Sequence, residues 1–133
     1  MHIVYLIEQI DQVGGIERSL ITRVNYMVEV FKYKVTIVCT LKNTGIPAFE
    51  LNDSINLIFL EKLTNKRTTF GRIFLRLEQA KMILNDLKPD IVISVKFTLH
   101  NLFFRLISNN VRFISELRES FANVNQKTKW TFK

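Results

Sequence analysis

Residues 1–18 read MHIVYLIEQIDQVGGIER, and this stretch decides the fold. A short apolar segment at residues 3–7 is followed by a polar loop, and the paired glycines Gly14 and Gly15 then open an amphipathic helix. This order predicts the strand-to-helix turn of a parallel α/β sheet, where ligands bind beyond the carboxyl ends of the strands. Glycine lets the backbone approach a ligand closely, and the first N–H groups of a helix lack partners within it. The turn is therefore a candidate anion-binding site.

Apolar segments of strand length alternate with helical patterns along the chain. They are rich in Val and Ile, as expected of strands covered on both faces, and they occupy residues 3–7, 34–39, 55–59, 90–95 and 111–115. The alternation predicts a doubly wound α/β domain, with a mostly parallel, Rossmann-like sheet and helices on both faces.

We assign residues 1–120 to this domain and residues 121–133 to a tail. The tail contains Trp130 and Phe132, which should pack on something, yet no further strand follows them. We therefore expect a truncated domain whose tail is either disordered or docked onto a second copy of the chain, as in a homodimer.

Three helices are predicted from apolar side chains that recur every three or four residues. The first has an inward stripe of four side chains with three more beside it: Ile16, Leu20, Val24 and Val28, then Ile21, Met27 and Phe31. The second ends before Pro89, whose ring disfavours helix in the preceding residue, and its inward face is Phe70, Ile73, Phe74, Leu77, Ala80, Leu84 and Leu87. The third turns inward Leu99, Leu102, Phe103, Leu106 and Ile107.

Composition limits the functions and the compartment. The formal net charge of the 133-residue chain is +7, which favours anionic partners: nucleic acid, an acidic membrane or a phosphorylated small molecule. The lone cysteine, Cys39, lies in an apolar run that predicts burial, and it fits a reducing compartment. No metal site is predicted, because His2 and His100 are far apart and His2 has no candidate partner in the sequence. Without an apolar run of about eighteen residues or a secretory leader, we expect a cytoplasmic protein.

The glycine turn lacks the fingerprints of other nucleotide sites. Nicotinamide binding needs G-x-G-x-x-G and an acidic residue ending the second strand, but that strand ends at residues 39–41 in Cys-Thr-Leu. No Gly-Lys-Ser/Thr follows the glycines, which excludes a P-loop. Glu8 and Asp11 mimic the acidic pair of a receiver-type signalling domain, but the third strand ends at Leu60 rather than at an aspartate. A remaining alternative is that the glycines only turn the chain tightly.

Three landmarks occur in order along nearly the whole chain. The first is GGIER at 14–18, with NYMVE at 25–29 and YKVTIV at 33–38. The second is KPDIVIS at 88–94, and the third is ISELRES at 114–120. Together they resemble the amino-terminal domain of bacterial glycosyltransferases of the retaining GT-B type, in particular their large family four.

The resemblance implies two Rossmann-like domains that face each other across a cleft. This chain would be the amino-terminal, acceptor-side domain, and the missing carboxy-terminal domain would hold most of a nucleotide-sugar co-substrate, with no other cofactor. A sugar would pass, with retained configuration, to a hydroxyl of a glycan or lipid-linked acceptor, as in polysaccharide biosynthesis. The resemblance places Gly14 and Gly15 beside the donor's diphosphate. It also implies that the chain alone is inactive.

The third landmark departs from many relatives, which have a histidine where Arg118 stands. Arg118 stays protonated, so it cannot act as a general base, but it could clamp a phosphate or a carboxylate. The resemblance makes Arg118, Glu116 and Glu119 the candidate catalytic residues, the two glutamates handling a proton or binding sugar hydroxyls. The alternative is a solvated Glu–Arg surface pair.

Four more residues are candidates on the acceptor side. Glu17 and Arg18 lie in the first turn of the first helix, and Lys96 and His100 follow the fourth strand. Strand ends face the ligand crevice in open α/β sheets, so side chains there can line it. Each of the four could instead be an ordinary solvated residue.

Basic side chains surround the second predicted helix: Lys62, Lys66, Arg67, Arg72, Arg76 and Lys81. A basic amphipathic helix can lie on an anionic membrane, which predicts peripheral contact at its inner face. The alternative is that the apolar face builds the core and the charges are solvated. Nucleic-acid binding is not expected, because no stacking motif is visible. The competing hypothesis for the whole chain is a non-enzymatic α/β module, either a receiver-like regulatory domain or a domain that binds phosphorylated metabolites.

Overall fold

A computed structural model describes residues 1–41, 43–60, 68–95 and 111–116. Strands and helices alternate in this part of the chain: β1 (His2–Ile7), α1 (Gly15–Glu29), β2 (Lys34–Cys39), β3 (Asn56–Phe59), α2 (Thr69–Leu87), β4 (Ile91–Val95) and β5 (Arg112–Glu116). These five strands form one parallel sheet in the order β3-β2-β1-β4-β5. The predicted Rossmann-like fold is confirmed, and the strand bounds differ from the predicted ones by one residue at most.

The central strand β1 contributes to a hydrophobic core on each face of the sheet. Its side chains alternate between the faces, as the pleat of a strand requires. Ile3, Tyr5 and Ile7 pack in the core that contains α1, whereas Val4 and Leu6 pack in the core that contains α2. The two helices therefore cover opposite faces, as the doubly wound prediction requires. Burial on both faces holds for β1, β2 and β4, but the outer strands β3 and β5 are partly exposed.

The direction of winding reverses between β1 and β4. From β1 the chain runs outward through β2 to β3, and α2 then returns it to the opposite side of β1. Where the order reverses, the carboxyl ends of the two adjacent strands border a crevice that binds ligands in sheets of this kind. A receiver-type domain has the order β2-β1-β3-β4-β5 instead. The strand order therefore excludes the receiver-like alternative.

Helical periodicity placed most of the apolar side chains correctly. The buried side chains of the two helices include Leu20, Ile21, Val24, Leu77, Ala80 and Leu84. Others at predicted inward positions are partly buried against the same cores: Ile16, Met27, Val28 and Leu87. The side chain of Ile73 and the whole third predicted helix lie outside the described residues, as does the tail at 121–133.

Three aromatic side chains that were predicted to face inward are exposed. Phe70 is 82% exposed and Phe74 61%, although both continue the apolar stripe of α2. Phe31 lies beyond the end of α1, is 52% exposed and stacks on Tyr33. Periodicity gives the direction of a helix face but not the length over which the core covers it. The first two turns of α2 carry aromatic side chains that the core leaves uncovered.

His2, for which the sequence offered no partner, is held at the amino end of β1. Its Nδ1 lies 3.2 Å from the carbonyl oxygen of Leu87, and its Nε2 lies 3.0 Å from Oγ1 of the buried Thr36. The backbone N–H of His2 donates to Asp90 Oδ2 at 2.7 Å. These contacts join β1 to β2 and to the end of α2, where Lys88 caps the helix in the left-handed conformation.

Candidate functional site

A cleft of about 260 Å³ opens at the carboxyl end of β1, beside the first turn of α1. It is lined by two aliphatic and four polar side chains: Ile7, Ile16, Glu8, Gln9, Gln12 and Glu17. Strand β1 ends at Ile7 and α1 begins at Gly15, so the cleft lies at the strand-to-helix turn that the sequence singled out. The cleft also lies at the carboxyl end of one of the two strands, β1 and β4, between which the winding reverses.

The backbone of this turn does not itself require glycine. Gly14 is the N-cap residue of α1 and has extended dihedrals, φ −144° and ψ 166°. Gly15 is the first helical residue, and neither glycine has a positive φ. Only the left-handed region gives glycine a conformational advantage over other residues. The backbone conformation therefore does not explain why two glycines occur here. The space around each glycine is the other property that could explain them.

The two glycines differ in what a side chain at each would meet. A Cβ on Gly14 would collide with the carboxylate of Glu17, which lies over that residue. A Cβ on Gly15 would meet no atom within 4 Å. Gly14 thus makes room for Glu17, whereas Gly15 faces open space at the amino end of α1. The N–H groups of this first turn have no acceptor within the helix, which makes the open side of Gly15 the place where a ligand oxygen can bind.

Asp11, in the loop after β1, joins that loop to the loop after β2. Its Oδ2 accepts the backbone N–H groups of Asn43 at 2.8 Å, Thr44 at 2.7 Å and Gly45 at 3.1 Å. Desolvation alone would raise the pKa of Asp11, but these three donors together hold the pKa below its ordinary value. Asp11 is therefore an organiser of the loops.

Glu116 ends β5, two strands from β1, which is about 10 Å across the sheet. It pairs with Arg23 of α1, whose guanidinium also lies 6.0 Å from the centre of the Tyr5 ring. Both charged side chains are largely covered, at 28% exposed for Arg23 and 21% for Glu116. Sequence analysis missed Arg23, because its partner is 93 residues away and no local pattern points to it.

The described residues bring together part of the predicted site. Glu17 lines the cleft and its carboxylate lies over Gly14, with Gly15 in the same turn. The exposed Arg18 follows, and its N–H donates to the Gly14 carbonyl at 3.1 Å. Glu116 stands apart on β5. The remaining candidates lie outside the described residues: Lys96, His100, Arg118 and Glu119.

Other side-chain chemistry is sparse in the described part of the chain. Cys39 is buried as predicted, and desolvation raises the pKa of its thiol to about 12, so it is a packing residue. Within residues 1–41, 43–60, 68–95 and 111–116, no group of three His, Cys, Asp or Glu side chains could hold a metal ion. In the same ranges, neither helix is long and apolar enough to span a membrane.

Comparison with known proteins gives matches to structures only. The chain matches no protein-family profile and no curated protein sequence. A UGT transferase from Siraitia grosvenorii, solved in complex with UDP, matches 86% of this chain over 27% of its own, with a TM-score of 0.59 and 11% identity. A glycosyltransferase from Rickettsia africae matches 98% of this chain over 34% of its own, with a TM-score of 0.59 and 15% identity.

The likeness to these two enzymes is one of fold. Both are glycosyltransferases, so the chain has a glycosyltransferase-like, Rossmann-like domain fold. It spans about a third or less of the length of the solved enzymes that it matches.

Proposed function

We propose that the chain is the amino-terminal, acceptor-side domain of a retaining GT-B glycosyltransferase of the bacterial family-four type. The domain covers residues 1–120, and a carboxy-terminal domain of the same protein supplies most of the donor pocket. The enzyme transfers a sugar from a nucleotide-sugar to a hydroxyl of a glycan or lipid-linked acceptor in polysaccharide biosynthesis, and it needs no other cofactor. Its compartment is the cytoplasm, where it contacts the inner face of the membrane. The fold shared with two solved glycosyltransferases supports this proposal.

The single observation that carries the proposal is the open space beside Gly15. No steric or conformational demand within the described residues requires glycine there. A ligand that approaches the backbone closely would require it, because a side chain would hold that ligand away from the N–H groups. A diphosphate suits the position, since negative charge is stabilised at the amino end of a helix. During transfer the diphosphate leaves, and N–H groups stabilise the charge that develops on it.

The other roles in the proposal come from the resemblance. The resemblance places Gly14 with Gly15 at the diphosphate; because the Glu17 carboxylate lies over Gly14, we expect the diphosphate oxygens on the Gly15 side. Glu17, Arg18, Lys96 and His100 contribute to the acceptor side of the cleft. Arg118 clamps a phosphate or carboxylate, and Glu116 and Glu119 handle a proton or bind sugar hydroxyls. The ion pair with Arg23 keeps the Glu116 carboxylate oriented at the end of β5.

Nitrogen–proton NMR of the chain titrated with UDP tests the diphosphate site. We expect the amide signals of Gly15 and Ile16 to shift, and Gly15→Val to abolish these shifts without unfolding the domain. Gly71→Ala is the matched control, because it also replaces a glycine in the first turns of a helix but lies in α2. Shifts confined to other regions, or shifts that survive in Gly15→Val, would overturn the proposal.

Two further outcomes separate the proposal from its alternative. Inorganic phosphate or simple phosphate esters that shift the Gly15 signal as strongly as UDP would favour a module that binds phosphorylated metabolites. Sugar transfer by the 133-residue chain alone would also contradict the proposal, which assigns most of the donor pocket to a second domain.

The exposed first turns of α2 support the proposed contact with a membrane. Phe70 and Phe74 project from the helix, and the exposed cations Arg72 and Lys81 lie on the same element. Exposed aromatic rings with a cation on the same side of a helix suit the boundary between headgroups and acyl chains of an anionic bilayer, and Lys81, seven residues after Phe74, lies on the side of the two rings. α2 follows β3, so its first turns lie at the carboxyl edge of the sheet, where a lipid-linked acceptor would enter the cleft. Lys62, Lys66 and Arg67 precede α2 but lie outside the described residues.

Vesicle flotation tests this contact. We expect the chain to float with vesicles that contain anionic lipid and to remain unbound with neutral ones. The double substitution of Phe70 and Phe74 by alanine should reduce binding severalfold, whereas Met82→Ala, which removes a 68% exposed side chain from another side of α2, should not. Equal binding to neutral vesicles, or equal losses in the two variants, would contradict the proposed surface.

A further inference from the structure

The polar lining of the cleft at β1 has a chemistry of its own. Glu8 and Glu17 contribute carboxylates, and Gln9 and Gln12 contribute carboxamides. Hydroxyl groups are the natural partners of these groups, because carboxylate and amide oxygens accept hydrogen bonds and hydroxyls donate them. Ile7 and Ile16 add aliphatic surface to the same cleft, and the C–H faces of a sugar ring can pack on such surface. The cleft volume of about 260 Å³ leaves room for one sugar ring.

The carboxylate of Glu17 makes one side of the cleft negatively charged. This carboxylate is seated over Gly14, where the absence of a Cβ leaves room for it. A ligand in the cleft therefore meets the Glu17 carboxylate near the amino end of α1. A second negative charge on the ligand would be repelled at that distance, and a neutral hydroxyl would instead donate to the carboxylate.

We propose that this cleft binds a neutral sugar and that Glu17 discriminates against acidic sugars. The inference rests on the proposed function, and it deepens that function by naming the charge class of the acceptor sugar. The diphosphate lies on the open side of Gly15, and the neutral ring lies on the Glu17 side of the same turn. The acceptor ring would then lie beside the donor's diphosphate, where one of its hydroxyls can form a bond to the anomeric carbon of the donor sugar as the bond to the diphosphate breaks, and the charge of Glu17 lies on the acceptor side.

Ligand pairs that differ only in charge test the inference. The probes are methyl glucoside, galactoside and mannoside, each beside its uronic acid counterpart, added at high millimolar concentration to the chain and followed by amide NMR. We expect the neutral sugars to shift the signals of Gln12, Ile16 and Glu17. Since the charges are partly exposed, each uronate should bind about two- to fivefold more weakly than its neutral partner, and salt should reduce the difference.

Two variants assign the effect to Glu17. Glu17→Gln keeps the size and an acceptor oxygen but removes the charge, so it should remove the difference between neutral and acidic sugars. Glu29→Gln removes the same charge at the far end of α1 and should leave the difference unchanged. Uronates that bind the unaltered chain as tightly as neutral sugars would overturn the inference, as would neutral sugars that leave the cleft signals unmoved.

The UDP titration distinguishes this inference from the proposed function. If UDP shifts Gly15 but no sugar discriminates by charge, the inference on Glu17 fails and the diphosphate site stands. If UDP leaves Gly15 unmoved, the proposed function fails whatever the sugars do.

Discussion

The two ends of strand β1 use polar side chains in opposite ways. At the amino end, the side chain of His2 hydrogen-bonds to Thr36, and the backbone N–H of His2 donates to Asp90. At the carboxyl end, Glu17 and the open face of Gly15 border a cleft instead. Polar groups that pair internally stabilise a fold, and groups that face a cleft are available to a ligand. The same strand therefore has one end whose polar groups serve stability and one end where we propose that they serve binding.

This comparison predicts its largest effect for His2→Ala. The substitution removes both ring contacts and leaves Oγ1 of the fully buried Thr36 without the His2 partner. An unsatisfied buried hydroxyl with lost packing should lower the free energy of unfolding by about 2–3 kcal/mol, measured by urea denaturation. Gln12→Ala, an exposed change at the cleft, is the control and should stay within about 0.5 kcal/mol. Equal losses in the two variants would break the comparison.

Asp11→Ala should have the next largest effect, because a loop at the carboxyl end is also held by internal hydrogen bonds. One carboxylate oxygen holds the N–H groups of Asn43, Thr44 and Gly45, and all three lose this acceptor. We expect a loss of about 1–2 kcal/mol and faster hydrogen exchange at these three amides. Exchange rates like those of the unaltered chain would show that the loop is held by other contacts.

The sequence predicts the scaffold of this fold better than its long-range polar contacts. Runs of Val and Ile, and apolar side chains such as Leu20 and Leu84 at helical spacing, report burial through local periodicity. That periodicity cannot report where the core stops, which is why Phe70 was misplaced. The partners of His2 are 34 to 88 residues away along the chain, so no local pattern contains them.

Of the candidate site, the sequence could bring residues together only where one turn of backbone holds them. Gly14, Gly15, Glu17 and Arg18 lie within five consecutive residues, so the strand-to-helix turn alone was enough to bring them together. The contact of Asp11 with residues 43–45 depends on two loops that meet only when β1 pairs with β2. Such a contact is a consequence of the tertiary fold, and the sequence shows no sign of it.

A double-mutant cycle on Arg23 and Glu116 tests whether Glu116 contributes to stability, as the residues at the amino end of β1 do. The ion pair is partly exposed, so Arg23→Gln and Glu116→Gln should couple by about 0.5–1 kcal/mol in the free energy of unfolding. The coupling should shrink in 1 M salt, where charges on partly exposed groups are screened. Coupling near zero would show that the pair adds no stability and that Glu116 has no structural role through Arg23.

The smallest predicted effect is a pH dependence that originates at the amino end. The Leu87 carbonyl can only accept, so Nδ1 of His2 carries the proton, and a neutral Nε2 accepts from the Thr36 hydroxyl. Desolvation and the charge of Lys34 hold the pKa of His2 below its ordinary value of 6.5, despite the opposing effects of Leu87 and Asp90.

The sign of the pH effect follows from the lowered pKa. The folded state disfavours the proton on His2, so its contribution to stability is complete above pH 6.5 and is lost as the pH falls through the lowered pKa. The free energy of unfolding should therefore decrease on acidification from neutral pH, before carboxylates such as Asp11 begin to titrate. His2→Gln cannot titrate, so its stability should be flat over that interval. If the slope persists in His2→Gln, another group takes up the proton, and His2 is not the source of the pH dependence at the amino end of β1.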